Sequence, residues 1–123
     1  MAKVTGVGGL FWRATDPRTL AAWYADNLGI TDPSVAVWSQ EAGDTVIAPF
    51  AADTGYFGRP EQQWMLNLRV DDLDGMLVQL SAAGIAAETR PEWDSPEVGR
   101  FARIHDPEGN PIELWEPAVA AEA

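Results

Sequence analysis

The sequence has no cysteine and one histidine, His105. Without cysteine there is no disulfide framework, no thiolate nucleophile and no thiolate metal site, and nothing argues for an oxidising compartment. A cytoplasmic location is the resulting expectation. One imidazole cannot supply the two-histidine, one-carboxylate set of non-haem iron oxygenases within one chain. Basic residues are scarce too, eight Lys and Arg against nineteen Asp and Glu, for a formal charge of -11. That field repels phosphate backbones and anionic lipid, which argues against nucleic acid and membrane surfaces as partners and favours a cationic ligand; keeping the protein in solution is the plainer use for it. Long apolar runs are also missing, each stretch falling far short of the ~20 residues that cross a bilayer. The opening MAKVTGVGGLFWRATD meets Arg13 and Asp16 too early for a secretory leader.

What is present is a repeat. GLFWRATDPRTLAAWYADNLGI, ending at Ile30, is echoed about 56 residues later by MLNLRVDDLDGMLVQLSAAGI, ending at Ile85. Arg13 matches Arg69, Asp16 matches Asp72, and both segments finish in Gly-Ile. In the second copy Leu66, Leu68 and Val70 alternate with Met65, Asn67 and Arg69, as in a strand with one face on a core; Leu10, Trp12 and Ala14 repeat that face in the first copy. The following helices are capped by Asp16, with Pro17 in the first turn, and by Asp72, and they end at Gly29 and at Gly84 as a left-handed cap. Leu20, Trp23, Tyr24 and Leu28 line the first helix, and Leu73, Met76, Leu77 and Leu80 the second. Short strands are predicted at SVAVWSQ and TVIAPF in the first half and at RFARIH and PIELWE, around the turn DPEGN, in the second. AADTGYFGRPEQQ reads as the loop joining the halves, RPEWDSPEVG as a second loop, and AVAAEA as a frayed tail. With 123 residues the chain suits one domain, 1–123, made of a first module over about 4–58 and a second over about 62–117. Packing alone can hold a core of that size.

The repeat, and above all FARIHDPEGNPIELWEP, resembles the vicinal-oxygen-chelate superfamily of glyoxalases, bleomycin-resistance proteins and extradiol dioxygenases. The resemblance covers nearly the whole chain and implies an α+β fold. Two βαβββ modules would form a cup-shaped mixed sheet with helices outside and a ligand in the hollow, in a protein that is commonly a homodimer. Metal-dependent members hold a divalent ion with four side chains, one from the first and one from the last strand of each module. Those positions fall here on Gly9, Ala48, Met65 and Glu113. Only Glu113 is a hard oxygen donor, and one carboxylate cannot build a catalytic metal site, so no metal and no cofactor is expected. An extradiol dioxygenase is strongly disfavoured, a glyoxalase less so.

Parity places Glu113 and Trp115 in the hollow, opposite Ile112 and Leu114. Glu113 there could serve as a general base or grip a cation, or be a relic carboxylate paired with Arg13, Arg69 or Arg103. Phe11, Phe50, Met65 and Asn67 share that face, and an aromatic wall suits a flat apolar ligand. Arg103 is the candidate for touching a ligand carboxylate, whereas the twinned Arg13 and Arg69 suit structural bonds near the helix starts. Trp12 and Trp23 suit the core; Trp38, Trp64 and Trp93 fit pocket, rim or dimer contact alike. His105, next to the turn, reads as an ordinary edge residue rather than a catalyst. No catalytic serine triad order, phosphate loop or dinucleotide fingerprint is present.

Three functions are compatible with these residues. The first is metal-independent binding or sequestration of a small aromatic or cationic molecule. The second is a glyoxalase-like lyase or isomerase using Glu113 as acid and base, or using a metal. The third is a non-catalytic scaffold with a filled hollow.

Overall fold

The computed structural model describes residues 2–119, and the tail from 120 onward, where fraying is expected, lies outside the described residues. Its elements are α1 (Pro17–Leu28), β1 (Leu66–Arg69), α2 (Leu73–Ala82), a short 3-10 turn (Pro91–Trp93), β2 (Gly99–His105) and β3 (Pro111–Pro117). This is an α+β arrangement with two helices against a mixed sheet.

Both helices begin as the sequence predicts. Asp16 accepts the Thr19 N–H at 3.2 Å and the Thr19 hydroxyl at 2.7 Å, and Asp72 accepts the Gly75 N–H at 2.9 Å, so each carboxylate satisfies a donor that the first turn leaves free. Gly29 closes α1 at φ 72, and its N–H returns to the Ala25 carbonyl. At the end of α2 the left-handed residue is Gly84 (φ 79), one past the cap Ala83, and Ile85 N–H bonds back to the Leu80 carbonyl at 2.9 Å.

The sheet order is β1-β3-β2, with β1 parallel and β2 antiparallel to β3. The register aligns Leu66, Ile112 and Ile104 in one row and Leu68, Leu114 and Ala102 in the next. These rows face the helices, where they meet Leu20, Tyr24, Leu73 and Leu80 in the core, with Trp12, Trp23 and Leu28 packed alongside. Burying one such aliphatic side chain is worth about 1.5–3 kcal/mol.

The DPEGN turn ties this core to α1. Asp106 is buried, and its carboxylate accepts the N–H groups of Glu108 and Asn110, the Asn110 amide and, at 2.8 Å, the Tyr24 hydroxyl. Burial first, then the hydrogen bond to Asp106, pushes the Tyr24 phenol far above its ordinary range. Glu108 accepts Thr15 and Asp16 N–H at the entry to α1, and Glu116 accepts the first N–H of α2.

Only the second half carries a ladder among the described residues. It reads β1, α2, isolated bridges of Glu88 with Arg103 and Ser95 with Gly99, then β2 and β3, so three strands stand where four are expected. The strands expected in the first half, near Leu10–Ala14 and over 34–40 and 45–50, are not formed. Trp12 and Ala14 do reach the core, but Val37 is 88% and Ile47 76% exposed. A strand needs a ladder partner for its N–H and C=O groups and a second layer for its side chains. Within the described residues these segments have neither.

Candidate functional site

The sheet face turned away from the helices carries two cross-strand rows. Asn67, Glu113 and Arg103 are register partners in one; Arg69, Trp115 and Phe101 are partners in the other. Alternation along β2 and β3 produces this, because the residues between them, Ala102, Ile104, Ile112 and Leu114, are held in the core.

Glu113 is the centre of the first row. Its Oε1 accepts the Asn67 amide at 2.6 Å and its Oε2 accepts the hydroxyl of Tyr56, which the joining loop brings over the strand. Burial first, then the hydrogen bond to Glu113, pushes the Tyr56 phenol up to about 12, with the Arg103 charge pulling the other way. Phe50 stacks on Tyr56 with centroids 5.8 Å apart and leans on Phe57 at 5.1 Å. The Arg103 guanidinium carbon lies 4.4 Å from the Tyr56 ring centroid and 5.5 Å from that of Trp93, and Nη2 points at the Met65 sulfur, 3.5 Å away. In the second row Phe101 and Trp115 stack with planes 5° apart, and the Trp115 indole donates to the Val98 carbonyl at 2.9 Å.

Of the residues singled out in the sequence, Met65, Asn67, Arg103, Glu113 and Phe50 come together around Tyr56, and Trp115 lies one row away. Phe11 does not join them: it is 95% exposed, because the strand expected to point it inward is not formed. Glu113 is engaged by a phenol and an amide rather than by an arginine, so the pairing considered with Arg13, Arg69 or Arg103 is not the arrangement found. Arg69 instead donates to the Glu41 carbonyl at 3.0 Å. Tyr56 was missed because it sits in a Gly- and Pro-rich loop, where no periodicity assigns a side chain to a face. Trp93, left among several roles, lies beside Arg103 and Arg90.

A model of the glyoxalase-like domain matches residues 9–115. The chain belongs to the glyoxalase-like domain family. Curated relatives, each named "Putative glyoxylase CFP32", from Mycobacterium bovis and Mycobacterium tuberculosis, are 32% identical to this glyoxalase-like chain over 125 aligned positions, covering 94% of it. The chain spans about half of their length, 46%. Among solved structures, the antibiotic-binding protein TnmS3 from Streptomyces sp. CB03234 superposes with a TM-score of 0.58, covering 96% of this chain and 100% of its own, at 24% identity. That likeness is one of fold.

The divalent ion of the wider superfamily does not fit this glyoxalase-like face. Among the described residues no three His, Asp or Glu side chains converge to hold an ion. Glu113 is already engaged on both oxygens, and the Met65 sulfur faces a guanidinium, whose charge opposes a cation there. Among the described residues no helix is long and apolar enough to cross a membrane.

Proposed function

We propose that this glyoxalase-like protein binds or sequesters a small aromatic molecule on the face carrying Tyr56, Glu113 and Trp115, without a bound metal. One observation carries the reading: Tyr56, packed with Phe50 and Phe57, lies over a polar row of Asn67, Glu113 and Arg103, and the stacked Phe101 and Trp115 form the neighbouring row of the same face. Flat apolar walls around a few converging polar groups suit a planar ligand that needs orientation as well as burial. The antibiotic-binding function named for TnmS3 is consistent with this and specifies no ligand for this chain.

The working unit is a homodimer. Val35, Val37, Val46 and Ile47 in the first half are largely exposed in one chain, and a second copy is what completes their strands, and with them the two-module cup, in this reading.

A thermal-shift screen of untagged protein against planar aromatic compounds, run beside elemental analysis for metal, tests the proposal. Stabilisation by aromatic compounds, unaltered by a chelator, is expected. A stoichiometric metal, or no response to any aromatic compound, overturns it.

A further inference from the structure

We infer that the ligand carries an acidic group, a carboxylate or an acidic phenol, and that Arg103 binds it; this rests on the aromatic-ligand reading above. The arginines differ in what they reach. Arg59 donates to the Gln62 side-chain oxygen, Arg69 to a main-chain carbonyl, Arg90 to Glu88 and Arg100 to Asp74. The Arg103 guanidinium pairs with no carboxylate among the described residues; the oxygen it meets is the Tyr56 hydroxyl, whose phenol it pulls down. Its Nε is buried without an acceptor, and Nη2 lies against the Met65 sulfur, a weak acceptor.

A guanidinium has five N–H donors and keeps its charge at any pH a protein survives, so it is costly to enclose without oxygen partners. The ring faces of Tyr56 and Trp93 offset part of the charge but do not replace those hydrogen bonds. The nearby carboxylate does not either. Glu113 is directly opposite Arg103 in the strand register, yet it is bonded to Tyr56 and Asn67. The positive group is therefore the unsatisfied one, and a ligand acid placed against the aromatic rings would complete it. A cationic ligand would have to sit beside the same guanidinium.

The overall charge of -11 points the other way, but only at a distance. Exposed surface carboxylates are screened beyond about 8 Å at physiological salt, while a half-buried arginine in contact with the ligand is not. Charge-assisted hydrogen bonds from a guanidinium fork are also shorter and stronger than neutral ones.

Isothermal titration of the untagged full chain with 2-naphthoate, the neutral 2-naphthamide and 2-naphthylmethylammonium tests this. The naphthoate should bind about tenfold more tightly than the amide, one charge-assisted pair being worth that much, and the ammonium most weakly. Arg103→Gln should bring the naphthoate down to the level of the amide, and Arg103→Lys should keep part of the preference; thermal melts confirm that both variants fold. If either variant does not fold, the comparison of the three compounds on the natural chain still decides. Equal or tighter binding of the amide or the ammonium overturns the acidic group and leaves the aromatic face standing. Binding of none of the three overturns both.

Discussion

Tyr56, on a loop fifty-seven positions before it in the chain, donates its phenolic hydrogen to Glu113 in the middle of β3. The bond closes the joining loop onto the second-half sheet and fixes Glu113 as an acceptor. Unfolding returns the phenol to its ordinary value of 10.0 from about 12. Between those values the unfolded chain gives up a proton that the folded chain keeps, so this stabilisation is whole below pH 10 and is lost as pH climbs toward 12. With Tyr24 shifted further still, an ultraviolet titration of the two tyrosines should show little tyrosinate at pH 10 in the folded protein. Glu113→Gln should lower the Tyr56 value without restoring it fully, because burial, the largest cause, remains. Tyrosinate forming normally at pH 10 in the folded natural chain would show that the phenol is neither buried nor bonded to Glu113.

The turn that carries the family resemblance is also the strongest polar tie to α1. Asp106→Ala leaves the Tyr24 hydroxyl and two turn N–H groups without their acceptor. Urea unfolding should show a loss of about 2–4 kcal/mol for that change and about 1 kcal/mol for Tyr24→Phe, which removes only one of the bonds. Equal losses would mean that the turn N–H groups find other partners.

Much of this architecture was legible in the chain. Asp16 and Asp72 as caps, Gly29 and Gly84 as stops, and the alternation of Ile112, Glu113, Leu114 and Trp115 are local signals, and local chemistry decides them. The same parity puts Asn67, Glu113 and Arg103 on one face. Two things were not legible. Tyr56 reaches Glu113 through a loop with no repeating pattern, and the first-half segments alternate like strands but find no ladder within one chain. Alternation states which residues could share a face; pairing needs a partner, and sequence pattern does not say whose.

That partner is testable. Sedimentation at tens of micromolar should give a dimer for the natural chain and a monomer for Val37→Asp combined with Ile47→Asp. Both side chains are exposed in the single chain, so helical circular dichroism should be unchanged. A natural chain that sediments as a monomer would remove the proposed role of those residues.

A planar ligand lying on the sheet face around Glu113 should register in amide chemical shifts read residue by residue as 2-naphthoate is added. Saturable shifts concentrated at Tyr56, Asn67, Phe101, Arg103, Glu113 and Trp115 are expected. Shifts concentrated instead in the groove between the helices, at Leu28, Met76 and Leu80, would contradict it.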